Sequence, residues 1–379
     1  MEEKHVLIIC GEPSGELHAA NLVQAIKQIN PAVEISGIGS DLLHNADVDV
    51  FYDIRGLTAL GLFDVFKKLP RFLRLKRFLL KKIEREKPDA VIFVDFSGFN
   101  LRLAKAINNR VATIYYIGPQ VWASREGRVK TIKKYISKLI VIFPFEKEFY
   151  KRHGIDADFV GHPLLDIVSP TLSKNEFLQE FGFSPQKKTI ALLPGSRKSE
   201  INYILPVMLK AAVEIQKKVN NVQFLIAKPP HLDLKLYTRK MDSFKLNLKI
   251  IEDRTYDCLQ AADFALVASG TATLEAAILE TPLVVIYKMG LLNYLLYKPQ
   301  VKVPYIGMVN IVAGKKIAEE FIQFGTKPKK IADFVSDTLN NPQRLATLKQ
   351  NLSPIKTYLE EGGASLRAAR IIVDFLENL

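Results

Sequence analysis

Two cysteines and one tryptophan in 379 residues, with six histidines spread along the chain, remove several chemistries at the outset. Cys10 and Cys258 sit in apolar stretches far apart in sequence, the pattern of buried free thiols in a reducing compartment rather than of a disulfide framework. No Cys-x2-Cys or His-x3-His pair occurs, so no metal site is expected. The acidic pairs Asp47/Asp49 and Asp156/Asp158 lie in polar, loop-like stretches and read as surface. Long apolar runs are missing too: 90–94 and 139–143 fall far short of the ~20 residues a spanning helix needs. The opening MEEKHVLIIC is acidic and passes straight into a strand-like run, unlike a signal peptide. There is no internal repeat and no low-complexity tract. These absences together lead to the expectation of a soluble cytoplasmic protein with no cofactor.

Negative charge is also scarce. Forty Asp and Glu against 53 Lys and Arg leave +13 at pH 7, which favours nucleic acid, phosphorylated small molecules or an acidic membrane surface as partners. Hydrophobic residues at 48% and charged residues at 25% are an ordinary globular balance, and the length suits two domains of about 150–200 residues.

What is present is alternation. Short apolar runs at 6–10, 35–38, 90–94, 113–116 and 139–143 alternate with helical patterns at 17–29, 101–108 and 125–135. After a break at 162–170 the alternation restarts, with strands at 189–193, 223–227, 248–251, 264–267 and 283–287 and helices at 202–219, 256–261 and 272–279. Apolar strands without period-two alternation, separated by helices, indicate parallel sheets covered on both faces. The expectation is an α/β protein of two doubly wound, Rossmann-like domains at 1–168 and 169–350, with a C-terminal segment at 351–379. Ligands in such a fold sit at the carboxyl ends of the strands, here in a cleft between the domains.

Three strand ends carry candidate chemistry. In the second domain, 189–193 ends in Pro194-Gly195-Ser196-Arg197 and 264–267 in Ala268-Ser269-Gly270-Thr271, each turning into a helix. Free N–H groups at such helix starts attract phosphate, Arg197 adds a charged donor, and Glu275, one turn further, is placed to accept from ribose hydroxyls. Two such turns in one domain point to a nucleotide diphosphate, although neither is a Walker A motif or a complete GxGxxG. In the first domain the turn 11–16 (GEPSGE) follows the first strand, and Asp95 follows 90–94. Asp95 reads either as a general base or as a cap for the next helix.

The positive charge gathers at 62–87, LFDVFKKLPRFLRLKRFLLKKIEREK. Positions 62, 65, 66, 69, 72, 73, 79, 80 and 83 form one apolar stripe for a core, while Phe63, Leu75 and Phe78 lie off it among Lys and Arg. Surplus apolar surface rimmed by basic residues is the profile of an interfacial helix on anionic lipid; a solvated amphipathic helix is the alternative. The segment 287–302, YKMGLLNYLLYKPQVK, has the same mixture. No recognition helix, RRM or zinc finger occurs, so nucleic acid is not expected.

The blocks GEPSGE (11–16), VDFSGFNLRLAK (94–105), YYIGPQVWASR (115–125), FPFEKEFYKRHG (143–154), FVGHPLLD (159–166), LLPGSRKSEI (192–201), ASGTATLEAA (268–277) and MVNIVAG (308–314) resemble the lipid-A-disaccharide synthase family, in order along nearly the whole chain. The resemblance implies the GT-B fold and a membrane-associated, inverting, metal-independent glycosyltransferase. Its substrates would be UDP-2,3-diacylglucosamine and 2,3-diacylglucosamine 1-phosphate (lipid X), its products a β-1,6-linked disaccharide 1-phosphate and UDP. It also implies a homodimer with exchanged C-terminal parts, and peripheral attachment to the cytoplasmic face of the inner membrane.

By the same resemblance, UDP would be held by Ser196, Arg197, Ser269, Gly270, Thr271, Glu275 and Asn310. The acceptor side would use Ser14, Gly15, Asn100, Trp122 and Arg125, the membrane contact Phe63, Phe66, Phe72, Leu75, Phe78 and Leu79, and the C-terminal segment would pack back on the first domain. Many relatives carry an Asp directly before Phe-Asn in the 94–105 block, where this chain has Gly98, and a second Trp where it has Ser124. Asp95 and Glu12 are the two candidates for the base. An epimerase-like UDP-sugar enzyme and a non-catalytic, membrane-docked UDP-sugar sensor are the alternatives.

Overall fold

The computed structural model describes residues 4–11, 13–55 and 62–379, with the side chains at 13 and 62–68 outside that description. Two compact units emerge, one of Met1–Asp166, Gln300–Lys302 and Leu359–Leu379, the other of Ile167–Pro299 and Val303–Tyr358.

The first unit holds β1 (His5–Ile9), β2 (Glu34–Gly39), β3 (Asp49–Asp53), β4 (Ala90–Val94), β5 (Ala112–Tyr116), β6 (Lys138–Val141) and β7 (Asp158–Phe159) in the order β3-β2-β1-β4-β5-β6-β7. The second holds β8 (Lys188–Leu193), β9 (Val222–Lys228), β10 (Leu248–Glu252), β11 (Phe264–Ala268), β12 (Leu283–Tyr287) and β13 (Glu319–Ile322) in the order β10-β9-β8-β11-β12-β13. Every strand pairing is parallel. The inner strands β4 (AVIFV) and β11 (FALVA) are buried along their whole length, because helices cover both faces of a parallel sheet and leave no polar side to write into the sequence. In both sheets the winding reverses beside the first strand, between β1 and β4 and between β8 and β11. A strand-order reversal of this kind opens a crevice at the carboxyl ends, where open α/β sheets take their ligands.

The second unit's core joins Leu192, Phe224, Phe264 and Val284 to the helices Leu205–Gln216 and Pro328–Leu339. In the first unit the helix Ala364–Glu377 buries Ala368, Ala369, Ile372 and Val373 and packs on the helix Pro13–Ile29. The chain therefore leaves the second unit at Tyr358, so residues 351–358 do not travel with the C-terminal helix as the segment 351–379 would have them.

The helix Leu62–Glu86 corrects one reading. Its buried side chains are Leu75, Leu79 and Ile83, at 2%, 0% and 5% exposure, with Phe72 half-buried. On a wheel of 100° per residue, 72, 75, 79 and 83 fall within about 80° of each other, whereas 66, 73 and 80 form a neighbouring strip. Leu75 and Leu79 are thus core contacts of their own unit and are unavailable to lipid, while Leu73, assigned to the core stripe, is 45% exposed. Phe78 remains 44% exposed, against Phe51 and Tyr52 of β3.

Candidate functional site

The candidate residues of each unit gather at its strand-order reversal. In the first unit a side-chain carbon at Gly15 would lie 3.6 Å from the Asp95 Cβ, so the turn after β1 and the end of β4 touch. Asp95 is half-buried, and both it and Phe96 adopt left-handed backbone, φ 47° and 48°, a conformation that costs non-glycine residues energy and persists only where the surroundings enforce it. The enforcement is visible. The Asp95 carbonyl accepts the Tyr115 hydroxyl at 2.5 Å and the Asn100 amide Nδ2 at 2.8 Å, and Asn100 also reaches the Ile9 carbonyl at 3.4 Å. Asn100 therefore anchors the backbone that carries Asp95, and its buried Oδ1 keeps no partner.

Phe96 covers Gly11 so closely that a Cβ there would sit 2.3 Å from its ring, which requires glycine. Phe72 stands against Phe96 and Phe99 with centroids 6.0 and 6.1 Å away, bringing the basic helix to this strand end. Ser14 is exposed in the first turn of its helix. Glu16, from the same turn, is buried and accepts from Ser40 and Leu43, a purely internal role. A Cβ at Gly98 would meet nothing within 4 Å. Glu12 lies outside the described residues, as do the side chains of Phe63 and Phe66.

Trp122 and Arg125 have structural partners. The Trp122 indole donates to Glu146 at 2.8 Å and meets Phe145 edge-on, and burial pushes the Glu146 carboxyl up to about 7. Ser124 forms a bridge with Val301, and Arg125 donates to Gln300 at 3.1 Å. Trp122 is thereby committed to Glu146 and its neighbouring rings.

In the second unit the turn after β8 differs from the phosphate loop its sequence suggests. The N–H groups of Ser196 and Arg197 donate to the Glu200 carboxylate at 3.0 and 3.2 Å, so they are not open to an anion. Gly195, at φ 113°, makes room for that carboxylate, which a Cβ would meet at 2.2 Å. The turn after β11 behaves differently: the N–H groups of Gly270 and Thr271 have no acceptor among the described residues, and a Cβ on Gly270 would meet open space. Ser269 is tied through its Oγ to the Ile306 carbonyl at 2.8 Å. Glu275, in the helix Ala272–Ile278, has no hydrogen-bond partner among the described residues, and burial pushes its carboxyl up to about 7. A poorly hydrated carboxylate without a partner is costly unless a donor arrives.

Asn310 does not offer its amide to a ligand. Its Nδ2 donates to Ala318 and Glu320, both at 2.8 Å, and its Oδ1 accepts from Ile317 and Ala318 at 2.8 and 2.9 Å. Four internal bonds saturate the group, so Asn310 shapes the 306–320 loop from within. Asn310→Ala strands those partners and is expected to cost about 3 kcal/mol of stability in urea titrations. A loss below ~1 kcal/mol accompanied by weakened nucleotide binding would return Asn310 to the pocket wall.

Sequence reasoning missed Thr273, whose Oγ1 donates to Gly270 and accepts from Val309 at 3.3 Å, and Glu320, which accepts from Ile306, Gly307 and Asn310. Thr273 was visible in TATLE as the residue three positions beyond the glycine; Glu320 sits on an edge strand that left no apolar run. Beyond these turns, Leu291, Leu292, Leu295 and Leu296 are 44–57% exposed on the short helix Leu291–Tyr297. A surface cavity of about 280 Å³ beside Lys198 gathers Lys235, Arg239 and Lys240 around Asp233. Among the described residues no group of three or more His, Cys, Asp or Glu side chains could hold a metal ion, and no helix is long and apolar enough to cross a membrane.

Solved structures with this pair of sheets are UDP-sugar enzymes of the GT-B fold, and that is the class the chain falls in. The UDP-GlcNAc 2-epimerase from Neisseria meningitidis bound to UDP-GlcNAc superposes with a TM-score of 0.67 at 15% identity, over 99% of this chain and 100% of that one. Anabaena HepE in complex with UDP-glucose gives 0.60 at 12% identity, over 99% and 100%. At such identities the likeness concerns the fold.

Sequence comparison narrows the class. The lipid-A-disaccharide synthetase family model matches residues 6–372. The lipid-A-disaccharide synthase of Syntrophus aciditrophicus (strain SB) is 44% identical over 382 residues, 100% of this chain and 99% of the relative. That of Nitrosococcus oceani is 40% identical over 377 residues, covering 98% and 96%. The chain belongs to the lipid-A-disaccharide synthase family, and it is a glycosyltransferase using a UDP-sugar.

Proposed function

We propose that this protein transfers 2,3-diacylglucosamine from UDP-2,3-diacylglucosamine to the 6-hydroxyl of lipid X, with inversion and without a metal, at the cytoplasmic face of the inner membrane. The reading is carried by one observation: in each unit the candidate residues meet at the strand-order reversal, Gly15 with Asp95 in the first and the turns after β8 and β11 in the second. Asp95 takes the proton of the attacking hydroxyl as its oxygen bonds to the anomeric carbon and the bond to UDP breaks. The departing diphosphate meets the open N–H groups of Gly270 and Thr271 and the Arg197 guanidinium, a preorganised positive field.

UDP release from purified protein in detergent micelles containing both lipids and EDTA tests this. Release requiring both lipids supports the reading; UDP binding without release would favour the sensor. Leu73, Phe78 and the exposed leucines of 291–296 are the side chains we assign to the lipid surface, with flanking Lys and Arg meeting anionic headgroups. The dimer implied by the resemblance is measured directly by sedimentation.

Two predictions follow the donor side. Arg197→Ala is expected to lower kcat by about 10²-fold, the worth of one charged contact of ~3 kcal/mol to the leaving group. Its unfolding midpoint should not move, since the bond to Glu200 comes from the backbone. Near wild-type turnover would remove Arg197 from the role.

Glu275 makes UDP binding pH-dependent. Its carboxyl sits at about 7, and ribose hydroxyls donate best to the ionised form, so affinity should fall as pH drops from 8 to 6, by up to about tenfold per unit. Glu275→Gln should bind more weakly and lose this component in calorimetric titrations, with the phosphate's own protonation common to both proteins. Identical slopes would place the ribose elsewhere.

A further inference from the structure

The first unit carries positive charge that its fold leaves unbalanced. Arg128, on the short turn Glu126–Arg128, is half-buried. Burial pushes its guanidinium pKa down first, and the charges of Arg125 and Arg102 push it further, so the three groups lie within one another's fields. Neither Arg102 nor Arg128 has an ion pair or side-chain hydrogen bond among the described residues. The neighbouring acid, Glu126, is consumed by Lys302 at 2.6 Å and His153 at 3.3 Å, and Arg125 is held by Gln300 in left-handed backbone at φ 59°. Arg128 also faces the buried Tyr115, whose hydroxyl holds the Asp95 carbonyl, and Arg102 rides the helix Ser97–Ile107 that starts directly after Asp95 and Phe96. The cluster therefore borders the candidate base.

We propose that Arg102, Arg125 and Arg128 form a subsite for a phosphate monoester, the phosphate carried by the acceptor. Three cations gathered with one of them partly dehydrated repel each other, and a group bearing close to two negative charges relieves that repulsion. Arginine suits the task because its planar fork binds two phosphate oxygens at once. The assignment rests on the reading that the first unit takes the acceptor, and it adds the means of telling the phosphorylated sugar lipid from its dephosphorylated form, at the end of the sugar away from the attacking hydroxyl. Arg125 appeared among the acceptor-side residues by resemblance; Arg102 and Arg128 did not.

The test compares wild type with Arg102→Gln/Arg128→Gln on lipid X and on the same lipid lacking its phosphate. The double variant is expected to raise KM for lipid X at least tenfold, as loss of charge-assisted contacts implies, while KM for the dephosphorylated lipid and the affinity for UDP stay within about twofold. Equal losses on both acceptors, or no loss, overturn the proposal. Weakened UDP binding would give the arginines to the donor's diphosphate, and reduced sedimentation with vesicles of phosphatidylcholine and phosphatidylglycerol at unchanged KM would give them to membrane headgroups; either result also overturns it. If wild type shows no transfer, the catalytic reading has failed separately, and phosphorus NMR with glucosamine 1-phosphate decides: binding lost in the double variant sustains the subsite, and equal binding removes it. Should the double variant fold poorly, Arg102→Gln alone, on an exposed helix position, and Arg128→Lys, which keeps charge without the fork, carry the same comparison.

Discussion

Asp95→Asn is expected to lower kcat by about 10³-fold, the usual scale for removing a positioned general base, with UDP affinity unchanged within about twofold. The fold should survive the substitution because the bonds that fix this residue are made by its backbone: its carbonyl accepts from Tyr115 and Asn100, and its N–H donates to the Tyr116 carbonyl at 3.3 Å. The amide is isosteric with the carboxylate and cannot take a proton, so the loss belongs to chemistry. The acid limb of the pH–rate profile should vanish with it. Tyr115→Phe is the graded counterpart, freeing one clamp on the Asp95 carbonyl and lowering kcat less than the Asn variant does. The measurement also separates the two candidate bases. Activity above one tenth of wild type in Asp95→Asn, with collapse in Glu12→Gln, would transfer the role to Glu12. Gly98 cannot stand in, since it has no side chain, although the space around it would accept one.

How legible this was in the sequence depended on burial. The inner strands β4 and β12 were bounded correctly at 90–94 and 283–287 because both faces are covered and the apolar run has sharp edges. β3, β7 and β13 went unseen: they are edge strands with half-exposed residues, and two of them begin at Asp49 and Asp158, acidic residues that read as loop. The paired turns of each unit were found because glycine and small polar residues at a strand end leave a local mark. Which N–H groups stay open was invisible, because the Glu200 that closes the turn after β8 looks in sequence like any acid in a first helical turn, while the turn after β11 has no such acid aimed back at it. The helix 62–86 failed differently. Its apolar residues cover more than one face, so periodicity alone could not say that 75, 79 and 83 point inward.

Glu146→Gln is expected to make the first unit acid-labile, losing about 4 kcal/mol between pH 6.5 and 5, while wild type loses about half of that over the same interval. Burial pushes His18 down to about 4 and His162 to about 3, with the nearby Asp166 opposing the shift at His18 and each ring adding to the local field. Both rings are buried in the folded chain and each leaves one nitrogen without a partner, beside the similarly unpartnered Tyr116 and Ser365. Below the ordinary histidine value of ~6.5 the unfolded chain takes up two protons that the folded chain refuses, so stability is full above that pH and declines as pH falls, at about 1.4 kcal/mol per proton and pH unit. Glu146 has the opposite sign. Its folded value of about 7 lies above the carboxylate norm, so the folded chain binds one proton that the unfolded chain does not until roughly pH 4.5, cancelling one of the two histidine contributions. Glutamine mimics the protonated carboxyl and removes that compensation. The readout is built in, because Trp122, the only tryptophan in the chain, bonds to Glu146, and its fluorescence in urea titrations follows this unit alone. His162→Gln in the same background should restore about half of the lost stability at pH 5. A Glu146→Gln variant as stable at pH 5 as at 6.5 would mean that the two histidines remain hydrated and chargeable in the folded protein.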